Sequence, residues 1–488
     1  MATKRQKKKA INTAKKVAKK NPTILIVFLV VILLAGGVVA ALYFTGFFDR
    51  FKATNNGSAQ TSIVDSLGTG NNGGGNAGAG TATSTEHTHS EDGIVEDIVY
   101  DNFQIHFLEL GNKYTGDSTY IKAGNTDILI DAGSRGNSAT TIVNYVKQYC
   151  TDGKLEYVIS THNHQDHIAG FGGNAGNSST KNYKGEKVSK TGVLYYFDVE
   201  TFIDFTYEGI NEKDENGKTI LVTYNNKTAK SSDYGSNTEY GGYLAAREYA
   251  VSKGTNWYTA KELWDSNNTK FTLADGITMD ILYNYYYFNE TKEVNDYSVC
   301  TLFNYNEKHF LFTGDLEEKG ETKLTEYYDG ITPEKTLPHC DLFKGGHHGS
   351  YTASNEVLLS KITPRICCVC CCAGATEYTK TSNNQFPSQA FIDRIAKYTS
   401  RVYVTTLFNE KTETNESMNG IIIVSFNGSN LGLQATNNLT RLKDTEWFNE
   451  EIYVDSSGNN LNSKGYYTAE SAGVTKVKRR IWPADGVQ

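Results

Sequence analysis

The pattern of apolar and polar residues divides the chain into a long N-terminal apolar run, a polar stretch and a larger part with short apolar runs. Apolar runs bounded by polar or glycine-containing turns predict β-strands at 127–130, 155–160, 309–313, 341–344 and 366–372. Apolar residues at helical spacing predict helices at 139–149, 243–252, 259–264 and 388–397. Strands that alternate with helices are typical of an α/β fold.

The N-terminal apolar run covers residues 24–48 and contains no charged side chain. A helix needs about 20 apolar residues to cross a bilayer, so this run is long enough. Nine lysines and arginines precede it, and such an excess of positive charge keeps an N-terminus in the cytoplasm. A cleaved signal peptide is the alternative, but its apolar core is shorter, about 7–15 residues. We therefore expect a single-pass cell-membrane protein with a cytoplasmic segment at 1–22, a transmembrane signal anchor at 23–48 and an extracellular remainder.

The polar stretch contains, from residue 68 to residue 80, only glycine, asparagine, alanine and threonine. Because such a composition cannot bury a core, we predict a flexible, disordered linker over 49–95. A catalytic domain is predicted at 96–430, and its long segment 174–293 is expected to form a lid or a substrate wall. A C-terminal tail at 431–488 carries tryptophans that we expect to dock on the domain, with binding of a wall polymer as the alternative.

Three histidines and an aspartate follow the predicted strand at 155–160 in an HxHxDH pattern: His162, His164, Asp166 and His167. Imidazole nitrogens and carboxylate oxygens are ligands for zinc, iron or manganese. On an extended segment His162 and His164 share one side, whereas a turn brings the other two residues to a second point. Two neighbouring points predict a centre of two divalent metals, where a bridging hydroxide forms at neutral pH. A histidine-rich surface loop is the alternative interpretation.

Similar polar residues follow other predicted strands. Asp131 follows the strand at 127–130, Asp315 follows the strand at 309–313, and Lys344 precedes Gly345-Gly346-His347-His348-Gly349-Ser350. Together with HxHxDH, these motifs resemble the metallo-β-lactamase superfamily, and in particular the extracellular metallo-β-lactamase domain of DNA-uptake competence channels. Bacterial phosphorylcholine esterases have a similar layout. The resemblance covers about residues 98–428.

The resemblance implies an αββα four-layer sandwich that holds two divalent metal ions. Asp131 is then expected to brace the histidine loop, Asp315 to bridge both metals, and His348 to complete the shell of the second metal, with His347 lining the site. Zinc is the expected ion, and manganese and iron are the alternatives. The segment 383–387 departs from the competence pattern, because it lacks the histidine often found before that proline.

One ligand of the superfamily pattern is missing, because residues 168–308 contain no histidine. In the superfamily, a histidine in this region gives the first metal its third protein nitrogen. Asn295 and Asp296 lie about where that ligand falls, so an oxygen from one of them, or water, is the expected replacement. We therefore expect a first metal that binds more weakly than the second or is a harder ion than zinc.

Phosphodiester hydrolysis is the activity that the resemblance implies. In such a reaction a metal-bridging hydroxide attacks phosphorus, the metals take up developing charge, and an acid protonates the leaving oxygen. Asp166 is assigned a catalytic role at the metals, and His347 is the candidate acid. The backbone amides of Gly349 and Ser350, together with Lys344, are candidates to cradle the phosphate, but for Lys344 taken by itself an ordinary solvated lysine is the expected role.

Net charge separates the candidate substrates. The chain carries a formal charge of −7, and residues 1–52 hold eleven lysines and arginines against one aspartate, which leaves −17 for the rest. Because non-specific affinity for nucleic acid comes mainly from lysine and arginine, this balance disfavours a processive nuclease. It favours small or zwitterionic phosphodiesters, or envelope polymers with choline groups, over nucleic acid. Two alternatives stay open: a metal-stabilised binding or scaffold module without turnover and, more weakly supported, an amide-cleaving β-lactamase.

Five of the eight cysteines fall in the apolar run at 366–372. We predict a buried strand on which Cys368, Cys370 and Cys372 face one way and Cys367 and Cys371 the other, so the five do not converge on one metal. Small apolar core residues are the expected role. A disulfide to another cysteine is the alternative outside the cell.

Overall fold

Two β-sheets form the framework of the computed structural model, which describes residues 93–235, 238–462 and 473–488. The first sheet contains, in spatial order, β1 (Ile94–Glu96), β19 (Leu431–Ala435), β18 (Ile422–Phe426), β2 (Phe103–Phe107), β3 (Thr119–Ala123), β4 (Thr126–Ile130), β5 (Lys154–Ile159), β6 (Asp198–Asp204) and β9 (Asn256–Thr259). The second contains β10 (Lys270–Ala274), β11 (Ile277–Ile281), β12 (Thr301–Tyr305), β13 (Lys308–Phe312), β14 (Leu342–Lys344), β15 (Ile366–Ala373), β16 (Val402–Asn409) and β17 (Thr414–Ser417). Two hairpins pair β7 (Tyr207–Lys213) with β8 (Thr219–Asn225) and β20 (Glu451–Val454) with β21 (Thr475–Lys478).

The helices in the described part of the chain are α1 (Ser138–Val146), α2 (Gln165–Gly172), α3 (Val193–Tyr196), α4 (Glu239–Ser252), α5 (Ala260–Asp265), α6 (Glu318–Tyr327), α7 (Glu356–Ile362), α8 (Gln389–Ile395) and α9 (Glu446–Asn449). All four predicted helices are confirmed, as α1, α4, α5 and α8. The helix α4 begins four residues before its predicted start at residue 243, because the Thr238 hydroxyl accepts a hydrogen bond from the Gly241 amide and caps its first turn.

The two sheets pack face to face through aromatic side chains. The ring centroids of Phe103 on β2 and Phe310 on β13 lie 5.0 Å apart, and those of Phe107 and Phe312 lie 6.1 Å apart. On the opposite face of β2, the Nδ1 atom of His106 is 2.8 Å from the hydroxyl of Tyr145 in α1. Helices α6, α7 and α8 pack their apolar residues on the outer face of the second sheet. The predicted αββα sandwich is therefore confirmed.

Parallel pairing brings several strand ends together. Strands β4, β5 and β6 run parallel in the first sheet, and β13, β14 and β15 run parallel in the second. The loops that leave the carboxyl ends of parallel strands gather at one edge of a sheet, which is where open α/β sheets bind ligands. The predicted motifs follow β4, β5, β13 and β14 and so occupy these loops.

The first sheet continues past the predicted domain boundary at residue 430. Strand β19 follows that residue and pairs with both β18 and β1, so the start of the predicted tail belongs to the sheet. Farther along, Trp447 is buried, and Arg479 is buried with hydrogen bonds to Glu410 and Glu450. The described part of the tail therefore docks on the domain, as expected.

The cysteine-rich run forms the fully buried strand β15, as predicted. Cys368 and Cys370 pack in the core between the sheets, whereas Cys367 and Cys371 pack with the helices on the other face. Cys372 departs from the expected alternation: the register shifts between Val369 and Cys372, and Cys372 packs in a separate small cluster. All eight cysteines are free, which disagrees with the disulfide alternative.

The predicted signal anchor and the predicted linker up to residue 92 lie outside the described residues. The end of the predicted linker is wrong, because Ile94–Glu96 forms β1 and pairs with β19. Within the described ranges, no helix is both long and apolar enough to cross a membrane.

Candidate metal centre

The HxHxDH motif bridges the end of β5 and the start of α2. His162 and His164 precede the helix in extended backbone, and the Nε2 atom of His162 lies 3.0 Å from the Nδ1 atom of His164. Helix α2 begins at Gln165, so Asp166 and His167 occupy its first turn. The motif thus presents its ligands in two pairs, one on the loop and one on the helix.

Asp131 lies at the end of β4, beside the histidine loop. Its carboxylate accepts hydrogen bonds from the Thr161 amide and the Thr161 hydroxyl, both at 2.8 Å. It also lies 2.7 Å from the Nδ1 atom of His167. These contacts fix the loop and leave the Nε2 atom of His167 free to face the cluster, in keeping with the bracing role suggested for Asp131.

Asp315 lies at the centre of the histidines. Its Oδ2 atom is 3.0 Å from Nε2 of His167, 3.4 Å from Nε2 of His348, 3.8 Å from Nε2 of His347 and 4.0 Å from Nε2 of His162. Gly314, with φ of 56°, precedes it, and a β-carbon there would come within 2.8 Å of the Ser298 hydroxyl oxygen. Only glycine allows this close turn, which carries Asp315 into the cluster.

The structure distinguishes His347 from His348. The buried His348 points its Nδ1 atom at the carbonyl oxygen of Cys370, at 2.9 Å, and its Nε2 atom at Oδ2 of Asp166, at 3.2 Å. The side chain of His347 is 17% exposed, and its Nδ1 atom lies 3.0 Å from the Thr352 hydroxyl and 3.3 Å from Oε1 of Glu317. His348 therefore belongs to the buried cluster, and His347 lies at its open side.

Asn295 and Asp296 have different surroundings. The Asn295 amide donates to Glu317 Oε1 at 2.9 Å, and its buried Oδ1 atom has no hydrogen-bond partner among the described residues. Asp296 instead accepts a hydrogen bond from the Glu317 amide at the start of α6, and burial raises its pKa to about 6. The Oδ2 atom of Asp296 is likewise buried without a hydrogen-bond partner among the described residues, so both candidates for the missing ligand keep an oxygen available.

Lys344 is not a solvated lysine, so that expectation is wrong. Its side chain is 4% exposed and its ammonium forms an ion pair with Asp117. The Nζ atom also donates to the carbonyl oxygens of Gly345 and Gly314, at 3.3 and 3.5 Å. Ser350 was named for its backbone amide, and that amide donates to the His347 carbonyl oxygen at 2.8 Å. These contacts leave little of the Lys344 ammonium or of the Ser350 amide for a substrate.

Three residues that sequence reasoning did not single out belong to the cluster. Asp117 contacts Lys344, and its Oδ1 atom lies 3.3 Å from Nδ1 of His348. The Tyr378 hydroxyl donates to Oδ2 of Asp166 at 2.6 Å, and Glu317 contacts His347. Asp117 stands in Gly116-Asp117-Ser118 and Glu317 in Gly314-Asp315-Leu316-Glu317, and both short motifs belong to the resemblance, whereas nothing in the local sequence marks Tyr378.

Burial and charge set the protonation of the cluster. Burial lowers the pKa values of His162 and His164, which keeps both imidazoles neutral and able to bind a cation. Burial also opposes charge on His348, but Asp315 and Asp117 raise the pKa of His348 to about 10. Burial disfavours the charged form of Asp315 as well, yet the neighbouring histidines hold the pKa of that carboxyl well below its usual range. The buried carboxylates thus favour the binding of positive charge in the cluster.

The residues present fit divalent cations. Asp117, His167, Asp315 and His348 each offer one ligand atom, and these atoms lie within 4.8 Å of one another. Oxygen Oδ1 of Asp315 is buried without a hydrogen-bond partner among the described residues. Imidazole nitrogens with carboxylate oxygens suit zinc, manganese or iron.

The hairpin formed by β7 and β8 lies beside the histidine motif. The Asn163 amide donates to the Gly209 carbonyl at 3.3 Å, and the rings of Tyr207 and Tyr297 lie 5.7 Å apart. Segment 174–293 thus contributes a hairpin beside the motif, and its role as a lid or substrate wall stays a prediction. The predicted helix of that segment, α4, packs against α2.

Comparison with known proteins finds a family-model match over the motif region. Residues 111–196 match the family model described as the Metallo-beta-lactamase superfamily. The chain is 27% identical over 158 residues to Recombination protein 2 of Haemophilus influenzae, covering 32% of this chain and 16% of that protein. It is 25% identical over 165 residues to Exodeoxyribonuclease YycJ of Bacillus anthracis, covering 31% of this chain and 60% of that protein. The chain therefore spans less than two thirds of either relative.

Solved structures include distant likenesses. The metallo-beta-lactamase fold protein YhfI from Bacillus subtilis is 10% identical, with 62% of this chain and 96% of that chain covered and a TM-score of 0.31. Human tRNase Z, short form, is also 10% identical, with 62% and 92% covered and a TM-score of 0.25.

Proposed function

We propose that this protein, a metal-dependent hydrolase with the metallo-β-lactamase fold, cleaves phosphodiesters with two divalent metals bound at the cluster. One observation carries the proposal: four histidine nitrogens surround a single carboxylate oxygen of Asp315, at distances from 3.0 to 4.0 Å. A carboxylate so placed can contact two cations at once, which is what a two-metal hydrolytic centre requires.

We assign two metal positions to the cluster. The first metal position is defined by His162 and His164, with an unpartnered oxygen of Asn295 or Asp296 as the candidate third ligand. The second metal position is defined by Asp166, His167 and His348, and Asp315 lies between the two positions. Divalent ions bound there would supply an activated water and neutralise charge on the phosphate.

His347 is the candidate that protonates the leaving oxygen. Its Nε2 atom lies 3.8 Å from Oδ2 of Asp315 and so faces the reaction centre. Glu317 and the Thr352 hydroxyl accept from its Nδ1 atom, which fixes the ring orientation. A partly exposed imidazole held in this way can transfer a proton from Nε2 to a bound ester.

The name of one relative and the net charge of the chain support the proposed substrate class, phosphodiesters. One relative carries the name of an exodeoxyribonuclease, an enzyme that acts on phosphodiesters. The charge of −17 beyond residue 52 argues against long nucleic acid and for small or zwitterionic diesters or choline-bearing envelope polymers. We also propose that residues 24–48 anchor the chain in the cell membrane with the catalytic domain outside.

Hydrolysis of bis(p-nitrophenyl) phosphate by the full chain, with zinc or manganese, tests the proposal. Asp315→Asn is expected to lower kcat by at least about 100-fold, because it weakens the contact shared by both metals. Asp265→Asn, a change on the partly exposed side of α5, is the matched control and should leave the rate unchanged.

Other outcomes would redirect the assignment. Two bound metals without hydrolysis of any phosphodiester would support the binding module, which the missing third histidine favours. Cleavage of a cephalosporin but not of the diester would support the β-lactamase.

A further inference from the structure

We propose that Asp117 and Lys344 form a buried positioning pair that holds His348 toward the second metal position. This inference rests on the proposed function only because that proposal assigns the second metal position. It concerns a residue pair that lies behind the metal ligands and does not touch the substrate.

Asp117 contacts one side of the His348 ring. Its Oδ1 atom is 3.3 Å from the Nδ1 atom of His348, on the side of the ring away from Asp166. The carbonyl of Cys370, at 2.9 Å, accepts from the same nitrogen. With its proton on Nδ1, His348 keeps the Nε2 lone pair for a metal, and a carboxylate near Nδ1 makes that lone pair more basic.

The other histidine of the second metal position is held in the same way. The Nδ1 atom of His167 lies 2.7 Å from Oδ2 of Asp131. Each imidazole at this position therefore has its own aspartate behind it. Asp117 differs from Asp131 in one respect, because its negative charge is balanced by a buried ammonium.

Lys344 fixes Asp117 between the two sheets. The lysine belongs to β14 of the second sheet, whereas Asp117 directly precedes β3 of the first sheet. The ammonium also donates to the carbonyls of Gly314 and Gly345, which precede Asp315 and the paired histidines. The Asp117 amide donates to the Asp166 carbonyl at 2.9 Å. One ion pair thus ties together the three loops that carry the ligands of the second position.

Charge explains why a lysine occupies this place. Burial favours the neutral amine, yet Asp117 and Asp315 raise the pKa of Lys344 above its usual value, so the ammonium persists. Its Nζ atom lies 3.9 Å from Oδ1 of Asp315. The ammonium of Lys344 offsets the repulsion between the buried carboxylates of Asp117 and Asp315. A lysine that bound phosphate directly could not fill this role.

Zinc binding by the full chain, measured without substrate, tests the pair. In Lys344→Met/Asp117→Asn both charges disappear while both side-chain shapes are kept. We expect zinc at the second position to bind about 10- to 100-fold more weakly, as measured by competition with a chromophoric chelator, with the first position unchanged. The absorption spectrum of the cobalt-loaded protein should show the loss of one of two sites.

A second buried ion pair provides the matched control. Arg247 and Asp204 are as deeply buried, with 3.1 Å between Nη1 and Oδ2, but contact none of the metal-centre residues described above. The variant Arg247→Met/Asp204→Asn should lose stability and still bind two zinc ions with unchanged affinities. A merely structural role for Asp117 and Lys344 predicts the same behaviour for both double variants.

Two results would overturn the proposal. One is undiminished zinc affinity at both positions in the folded Lys344→Met/Asp117→Asn protein. The other result concerns folding. If neither this variant nor the apolar double variant Lys344→Met/Asp117→Leu folds while the control variant folds, Asp117 and Lys344 serve the fold and not the metal. Because no substrate is present, failure of the phosphodiesterase proposal would leave these measurements interpretable.

Discussion

His347 and His348 are neighbours in the chain, yet their side chains have different surroundings. Both residues adopt left-handed backbone conformations, with φ of 46° and 55°, within the turn Gly346–Gly349. Such backbone is costly for residues other than glycine, and it occurs where the surrounding structure enforces it. Here it turns one imidazole inward to Asp166 and leaves the other beside Glu317. Adjacent residues can therefore serve as metal ligand and proton donor.

The acid role of His347 predicts a dependence on the leaving group. Glu317→Gln removes the negative charge beside Nδ1 of His347 and so weakens proton donation from Nε2. With diphenyl phosphate, whose leaving oxygen needs a proton, we expect kcat to fall about 100-fold. With bis(p-nitrophenyl) phosphate, whose leaving group departs unprotonated, kcat should fall only a few-fold.

The neighbouring Glu318→Gln, on the exposed side of the α6 start, is the control for this comparison and should affect neither substrate. Equal losses with both leaving groups would show that Glu317 supports the structure of the site and does not tune the acid. A changed KM with an unchanged kcat would point to substrate binding instead.

Local spacing explains which site residues the sequence could reveal. His162, His164, Asp166 and His167 stand within one short motif, so their shared chemistry is visible without a structure. The pairing of Asp117 with Lys344 joins residues of different sheets, and no local pattern predicts which lysine meets which aspartate. A single sequence contains no record of such distant contacts.

At the scale of elements, apolar periodicity predicted the buried strands and the amphipathic helices. The hairpin of β7 and β8 escaped prediction because β7 is mostly polar and both strands are exposed toward the turn, although β8 contains the apolar residues Ile220, Leu221 and Val222. The position of the hairpin beside Asn163 depends on tertiary contacts between distant residues and not on local strand propensity. Periodicity finds elements that bury one face, and this hairpin buries little beyond its base.

The base of the hairpin predicts a dependence of stability on pH. Glu208 of β7 is buried, the Tyr234 hydroxyl donates to its Oε1 atom at 2.8 Å, and burial raises the pKa of Glu208 to about 8. A raised pKa means that the stabilising contribution is complete below the ordinary value of 4.5 and is lost as pH rises through about 8. Above that pH the folded protein must hold a buried charge.

Glu208→Gln should remove this pH-dependent loss of stability. Urea unfolding at several pH values should show the variant gaining stability relative to the unsubstituted protein between pH 4.5 and 9, by about 5 kcal/mol. Glu212→Gln, on the exposed part of the same strand, should show no such trend. A constant difference between the Glu208 variant and the unsubstituted protein across this range would contradict the buried-charge explanation.

For the whole molecule, charge is distributed unevenly along the chain. Basic residues gather ahead of the apolar run, and the remainder of the chain is acidic, with a net charge of −17 beyond residue 52. An anionic membrane surface attracts the first part and repels the second. This asymmetry supports the proposed anchor, in which residues 1–22 lie in the cytoplasm and the acidic remainder lies outside.

The anchor proposal predicts where the full chain is found in bacterial cells. It should sediment with membranes and resist carbonate extraction, because residues 24–48 would span the bilayer. Protease added outside intact spheroplasts should degrade the catalytic domain, since positive charge retains residues 1–22 inside. A chain lacking residues 1–48 should be soluble and, because the sheets begin at Ile94, should keep its hydrolytic activity. Full-length protein recovered intact from the soluble fraction would contradict the anchor, and protection from external protease would reverse the proposed orientation.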